Sequence, residues 1–312
     1  MNLNEIKKHL NPTDYIVIIF YILLTIINLV FYKKLEYPLL FILINFVVIS
    51  YAVTVSYYEG TKQSKLFKAM HYWYLPPLIL LSFKELYFMI RPIREVDYDY
   101  LLIEMDRFIF GTDPTKALLT IANPILTEIL QIAYMSFFFL PVFLALSLYL
   151  QKRKLECDYS VFAVIYGFFL SYIGYFMLPG VGPRFTVHEF ANLDAELPGL
   201  ILTPIIRGII NAGGSVFPWT DDPTRFVQRD VFPSGHTMMT LIVMYLSVKF
   251  KSRNKVFLLI IGTLLIISTV YLRYHYVVDL IAGFIFMVIS LWSGKKLFNY
   301  LQKKTNSPEI SY

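Results

Sequence analysis

Residues 256–294 read VFLLIIGTLLIISTVYLRYHYVVDLIAGFIFMVISLWSG, and this stretch decides the fold. Two apolar runs, 256–272 and 277–294, are joined by a tight polar corner that contains Arg273 and His275. A membrane-spanning helix needs about 20 predominantly apolar residues, and each run comes close to that length. The stretch therefore predicts a hairpin of two short transmembrane helices with ionisable groups at its turn.

Similar apolar runs recur along the whole chain. Of its 312 residues, 57% are hydrophobic and 16% are charged, whereas a soluble protein carries about 25% charged residues. We count eight candidate spans, at residues 15–32, 37–57, 71–90, 124–150, 159–178, 236–250, 256–272 and 277–294. The sequence thus predicts an all-α, polytopic transmembrane helix bundle that forms a single membrane domain, with a disordered tail at 305–312.

The first run and the lone cysteine set further bounds. Residues 15–32 lack a small-residue cleavage site, so we interpret them as a retained span, with a cleaved signal peptide as the alternative. Cys157 is the only cysteine, which excludes an intramolecular disulfide and a cysteine-ligated metal site.

The charge distribution predicts the orientation in the membrane. Eight spans place both termini on one side, and that side carries more Lys and Arg than the other. Because cytoplasmic loops carry an excess of these residues, we expect both termini in the cytoplasm. The net charge of +6 is then mainly a topology signal, and we expect no nucleic-acid partner. His236 and His275 both fall on the extracytoplasmic face.

Two long connections lie on that same face. The first, residues 91–123, carries apolar side chains at helical spacing, namely Tyr98, Leu101, Leu102, Met105, Phe108 and Ile109. This pattern predicts an amphipathic helix on the membrane surface. The second connection, residues 179–235, is long enough to suit a functional lid. Its middle, residues 200–212, is apolar enough to dip into the bilayer.

Pro233-Ser234-Gly235-His236 stands at the start of the sixth predicted span. Serine is a good N-cap, and the first turn of a helix leaves N–H groups that, with the helix dipole, favour phosphate. Gly235 allows a ligand to approach the backbone, and His236 comes within reach of that ligand. The alternative is a capped helix start whose histidine binds the loop.

His275 and Asp279 are four residues apart and share a face if the last helix begins near His275. The carboxylate can hold one ring nitrogen and leave the other free to attack or to accept a proton. The alternative is a buried polar pair that fixes the helix start. Arg273 and Arg184 are candidates for binding an oxyanion. The alternative for Arg273 is a cation that snorkels to the membrane interface, and the alternative for Arg184 is a solvated loop residue.

Three segments follow one another along the chain: the Gly-Pro-Arg184 turn, Pro233-Ser234-Gly235-His236, and His275 with Asp279. Together they resemble the type 2 phosphatidic acid phosphatase superfamily, and within it the inositol phosphorylceramide synthase branch. The resemblance covers about residues 97–294 and leaves the spans in residues 1–60 as accessory spans. The features similar to the branch are Asp99-x6-Asp106-x-x-Ile-Phe-Gly111, the Gly-Pro-Arg184 turn, and Tyr271-Leu-Arg273-Tyr-His275-Tyr-Val-Val-Asp279-Leu-Ile-Ala-Gly283.

The resemblance implies a role for each matching residue. His275 is expected to be the nucleophile that forms a phosphohistidine, Asp279 to raise its basicity, and His236 to protonate the departing oxygen. The phosphoryl oxygens are expected to be held by Arg184, Ser234, Gly235 and Arg273. No metal and no other cofactor is expected, because arginines and backbone donors supply the positive field.

The chain departs from the family pattern at two places. Met177 stands where the first motif has lysine, and Ser268-Thr269 stands where the third motif has Ser-Arg. Lys84, inside the third predicted span, is a candidate for the missing phosphate-binding cation. The alternative is that Lys84 pairs with another group inside the membrane, such as Glu128.

Three functions follow as hypotheses. The first is a metal-independent lipid phosphatase at the extracytoplasmic face that acts on a membrane phospholipid or lipid phosphate. The second is a phosphotransferase of the inositol phosphorylceramide synthase type, which moves a phospho-head group to a lipid hydroxyl. The third is a transporter or flippase without chemistry, which requires polar groups near the membrane midplane. The lipid, the acceptor and the oligomeric state are left open.

Overall fold

The computed structural model of the chain describes residues 7–216, 222–304 and 307–311, and every regular element within these ranges is a helix. The long helices are α1 (Pro12–Val30), α2 (Pro38–Lys62), α3 (Lys65–Trp73), α4 (Leu75–Ile93), α5 (Asp99–Phe110), α6 (Pro124–Leu150), α7 (Lys154–Met177), α8 (Leu202–Gly213), α9 (Gly235–Lys249), α10 (Lys255–Tyr271) and α11 (Val277–Lys304). α6 contains one 3₁₀ turn at Ser136–Phe138.

Local sequence explains where the helices begin. α1 and α6 each start with a proline directly after an asparagine cap, and the Asn11 and Asn123 side chains accept N–H bonds from the first turn. Proline suits the first helical position because a backbone N–H at that position would have no acceptor within the helix. Asp14 completes a reciprocal capping box with Asn11 at the start of α1.

Five helices are long and apolar enough to cross a membrane, namely α1, α2, α6, α7 and α11. They indicate an integral membrane protein, but the predicted count of about eight spans is not confirmed. α9 and α10 have 15 and 17 residues, which gives lengths of about 22 and 26 Å against a hydrocarbon core of about 30 Å. α4 has 19 residues, but charged side chains interrupt it.

α7 is the central helix of the bundle. It contacts α1, α4, α6, α9 and α11. Of its most apolar 18-residue window, 67% is buried, against 33–44% in the other four spanning helices. α9 packs against both α10 and α11, and the start of α9 lies beside the corner between α10 and α11.

Both long connections contain helices. α5 turns Asp99 and Asp106 toward the protein, while Phe108 on its other side is 91% exposed. α8 likewise buries Thr203 and Arg207 and exposes Ile205 and other apolar side chains. The position of either helix relative to the membrane surface stays a prediction.

The C-terminal tail lies partly outside the described residues, because the predicted disordered segment includes residues 305, 306 and 312. Residues 307–311 are described. Ile310 is buried, and its backbone N–H and carbonyl both bond the Asn299 side chain.

Candidate active site

The two histidines predicted to act together lie close to one another, with their rings tilted by 59°. His236 sits in the first turn of α9 and His275 in the corner before α11, 39 residues apart in the chain. Their ring centroids are 5.6 Å apart, and His275 Nε2 lies 3.5 Å from His236 Nδ1. A phosphoryl group beside this pair can therefore contact both imidazoles.

His275 is buried and its ring is fixed on one side. Nδ1 lies 2.9 Å from the carbonyl of Val231, a geometry in which Nδ1–H donates and Nε2 keeps its lone pair. Burial lowers the pKa of His275 to about 4; the charge of Asp230 and the Val231 carbonyl oppose that shift, and Arg184 adds to it. The ring is therefore neutral at neutral pH, as a nucleophile requires.

Asp279 lies one helical turn after His275 and is fully buried. Its Oδ2 is 3.4 Å from His275 Nδ1 and accepts the backbone N–H of Tyr276 at 2.8 Å. Its backbone carbonyl accepts the N–H of Ser234 at 3.0 Å. Asp279 thus supports the imidazole and also ties the start of α11 to the start of α9.

Ser234 caps α9 as the sequence predicts, because its hydroxyl accepts the N–H of Thr237 at 3.2 Å. A side chain at Gly235 would meet the hydroxyl of Tyr175 at 2.5 Å, so packing alone demands glycine there. His236 stacks on Tyr134 with 4.5 Å between centroids, and Phe137 flanks it at 4.3 Å. These rings orient the imidazole.

A backbone hydrogen bond holds Arg184 beside the corner between α10 and α11, which contains His275. The Arg184 N–H donates to the Arg273 carbonyl at 3.1 Å. The turn needs glycine at position 182, where φ is +94° and a side chain would meet the Tyr274 carbonyl at 2.9 Å. The Arg184 guanidinium lies 5.0 Å from the Tyr274 ring centroid and bonds Asn211 at 2.9 Å.

Arg273 is placed differently from its predicted role. Its guanidinium is fully buried, and Nη1 lies 2.5 Å from Glu196 Oε2. No contact between this guanidinium and His275 or His236 is observed among the described residues. Because φ at Arg273 is +65°, the backbone turns in the left-handed region at this residue and separates its side chain from that of His275.

Lys84 bonds the loop that follows α8. Its Nζ donates to the Gly213 carbonyl at 2.7 Å and to the Ser215 hydroxyl at 2.9 Å. The suggested pairing with Glu128 is not observed, because Glu128 accepts the N–H groups of Leu200, Leu202 and Thr203 around the start of α8.

Asp230 lies at the site, although we predicted no role for it. Its carboxyl interacts electrostatically with His275, Arg184 and Lys84, and burial raises its pKa. It directly precedes Val231, the residue whose carbonyl holds His275. The two cations and the imidazole that interact with Asp230 mark the volume in which a phosphoryl group is expected.

Asp99 and Asp106 hold the turn before Arg184 and the start of α11 through backbone N–H groups. Asp99 accepts the N–H groups of Val181 and Gly182 at 2.9 and 2.8 Å, and the Tyr276 hydroxyl at 2.8 Å. Asp106 accepts the N–H groups of Val277 and Val278 at 2.9 and 2.8 Å, at the first turn of α11. The sequence showed both as part of a branch-like motif, without a role.

Comparison with known families gives one match. A sequence model of the PAP2 superfamily matches residues 101–293, which is more than half of the chain. Comparison with curated proteins and with solved structures found no match.

Proposed function

Because the chain belongs to the PAP2 superfamily, whose members act on lipid phosphates, we propose that it is a lipid phosphatase with His275 as nucleophile. The observation that carries the proposal is the His275–His236 pair, with Nδ1 of His275 held by a carbonyl and Nε2 facing the second ring. The proposed substrate is a phospholipid or lipid phosphate, and the proposed site of action is the extracytoplasmic face.

The first step forms a phosphohistidine. His275 Nε2 attacks phosphorus, a nitrogen–phosphorus bond forms, and the bond to the lipid oxygen breaks. His236 gives its proton to the departing alkoxide. Arg184 and the N–H groups at the start of α9 stabilise the charge on the phosphoryl oxygens. Val231 and Asp279 hold the Nδ1–H side of His275 throughout.

The second step decides the type of enzyme. If water attacks phosphorus, His236 takes its proton, the nitrogen–phosphorus bond breaks and phosphate leaves. If a lipid hydroxyl attacks instead, the enzyme is a phosphotransferase similar to inositol phosphorylceramide synthases. Asp99 and Asp106 support the phosphotransferase as a second candidate. Both hold turns of the proposed site, and both belong to the segment that resembles the inositol phosphorylceramide synthase branch.

Product analysis tests the function and separates the two outcomes. Purified protein is incubated with a phospholipid labelled at phosphorus, with and without an added lipid alcohol. Free labelled phosphate from a lipid phosphate monoester supports the phosphatase. A new labelled phosphodiester, formed from a phospholipid that carries a head group and only with the alcohol present, supports the transferase. Absence of both products would contradict the proposed chemistry and return attention to a transporter.

Replacement of His236 tests its role as an acid. We expect His236→Ala to reduce kcat about 10²–10⁴-fold on a lipid phosphate, whose alkoxide must be protonated as it leaves. A nitrophenyl phosphate has a leaving group that needs no proton, so the loss in kcat on this substrate should be much smaller. Turnover of both substrates is measured side by side. Equal losses on the two would contradict an acid role.

The pH dependence follows from the lowered pKa of His275. Attack requires a neutral ring, so we expect kcat/KM to fall on the acid side with an apparent pKa near 4. Asp230 raises the pKa of His275, and Asp230→Asn should therefore move this limb to lower pH. An acid limb that came from ionisation of the substrate would not shift in Asp230→Asn, so this variant distinguishes His275 from the substrate. A limb that stays near 6.5 in both proteins would contradict the assignment.

A further inference from the structure

The turn from Asn211 to Ser215 at the end of α8, the α8 turn, connects α4 with the arginine proposed to bind phosphate. The Asn211 amide oxygen accepts a hydrogen bond from Arg184 Nη1 at 2.9 Å. The Gly213 carbonyl and the Ser215 hydroxyl accept bonds from Lys84 Nζ on α4 at 2.7 and 2.9 Å. The α8 turn is therefore bonded to Arg184 on one side and to Lys84 on the other.

Further bonds hold the α8 turn in one backbone conformation. The Asn211 carbonyl accepts the N–H of Val216 at 2.8 Å, and the Gly214 carbonyl accepts the N–H of Gln228 at 3.0 Å. Lys84 adds a cation at the C-terminal end of α8, where the helix dipole and the last carbonyls favour one. Because these bonds share one short segment, removal of the Lys84 ammonium would also disturb the position of Asn211.

The opposite end of α8 is held by a carboxylate. Glu128 on α6 accepts the N–H groups of Leu200, Leu202 and Thr203 at 2.9, 2.6 and 3.1 Å. An anion at the start of a helix and a cation at its end both suit the helix dipole. α8 is thus tied at its two ends to α6 and α4, and Asn211 is carried on a helix with fixed ends.

The bond from Asn211 gives the Arg184 guanidinium its direction. Arg184 is buried, and the rings of Phe185 and Tyr274 lie 4.6 and 5.0 Å from its guanidinium carbon. Ring contacts limit the position of a guanidinium but do not set where its N–H groups point. The bond to Asn211 is the one hydrogen bond of this guanidinium observed among the described residues. It uses one donor of a rigid fork and leaves the others for phosphoryl oxygens.

We propose that Asn211 and Lys84 are positioning residues, which hold the Arg184 guanidinium in the orientation that binds a phosphoryl group. The inference rests on the proposed function, in which Arg184 contacts phosphate. It gives Lys84 an indirect role, because the hydrogen bonds observed for Lys84 go to the α8 turn. A guanidinium that is already oriented loses less conformational freedom when the anion binds.

Calorimetric titration of the purified full chain with inorganic phosphate tests the inference without turnover. We expect Asn211→Ala and Lys84→Met each to weaken binding about 2- to 10-fold, the cost of ordering one freed side chain on binding. Lys84→Arg keeps a donor for the Gly213 carbonyl and should retain most of the affinity. The matched control is Asn192→Ala, because the exposed Asn192 lies in the same connection and bonds Glu189. This control should leave binding unchanged.

Double variants separate positioning from direct contact and from a general structural role. If both residues act through Arg184, Asn211→Ala and Lys84→Met should cause no further loss in an Arg184→Ala protein. This comparison uses kcat/KM for a short-chain lipid phosphate, because slow turnover stays measurable where weak binding does not. Losses that persist without Arg184 would overturn the inference, and a persistent loss for Lys84→Met alone would place Lys84 on phosphate directly.

The two measurements distinguish failure of the inference from failure of the proposed function. Phosphate binding that Arg184→Ala weakens, but that Asn211→Ala and Lys84→Met leave unchanged, would overturn the inference and leave the proposed function standing. Absence of turnover by the unaltered protein would contradict the proposed function, and the phosphate titrations would still decide the inference. Absence of phosphate binding by the unaltered protein would contradict both.

Discussion

Replacement of His275 by alanine is expected to abolish phosphate release from a short-chain lipid phosphate, with a loss of at least about 10⁴-fold in kcat. His275 is the proposed attacking group, because its ring is neutral and its Nε2 faces His236 across 3.5 Å. Loss of a nucleophile removes the covalent route entirely, and the residual rate comes only from binding and charge stabilisation.

The matched control is His188→Ala. His188 lies in the connection between α7 and α9, where it bonds Thr115 and lies near Glu196. No contact of His188 with His236 or His275 is observed among the described residues. We expect it to keep most of the activity. A phosphorylated intermediate provides the second readout: acid-labile label from a labelled lipid phosphate should appear on the unaltered protein and be absent from His275→Ala. Turnover retained by His275→Ala would remove the proposed nucleophile.

The histidine pair could be predicted because its signals are local. Serine before an apolar run predicts a capped helix, and Ser234 does cap α9. Spacing of four residues predicts that Asp279 stands beside His275, and the two side chains are 3.4 Å apart. One hairpin of helices then brings the start of α9 to the corner before α11. These inferences need only helix geometry and the length of a span.

Other site residues could not be placed because their positions depend on tertiary packing. Arg273 is only two residues from His275, but a left-handed turn directs its guanidinium to Glu196. Lys84 is occupied by the loop after α8, which no local pattern reveals. Asp106 bonds a backbone N–H 172 residues away in the chain, and side-chain-to-backbone bonds of that range leave no periodic signal.

The number of spans shows the same limit. Apolar composition locates all the helices that the sequence predicted as spans, but whether a short one crosses the membrane depends on its length and its neighbours. α9 has 15 residues, with Ser234 as its N-cap and His236 in its first turn. Periodicity alone does not show whether a helix of this length crosses the membrane.

Replacement of Asp106 by asparagine is expected to lower kcat about 10–100-fold with little change in KM. Asp106 uses one oxygen for Val277 and the other for Val278, at 2.9 and 2.8 Å. An amide keeps one acceptor and puts a donor opposite the other N–H. It also removes negative charge from the start of α11, where the helix dipole favours it. His275 lies directly before this turn, and misplacement of a reacting group by about 1 Å costs about 10²-fold in rate.

The matched control is Glu104→Gln on the same helix, because Glu104 is exposed and pairs with the neighbouring Arg107. Both variants are assayed well below their unfolding midpoints, so that loss of stability does not enter the rate. A positioning role predicts that substrate still binds to Asp106→Asn while phosphohistidine forms slowly, which a single-turnover measurement with labelled lipid phosphate detects. If Asp106→Asn raised KM and left the rate of phosphohistidine formation unchanged, the carboxylate would act on substrate binding, and its bonds to α11 would not control the position of the nucleophile.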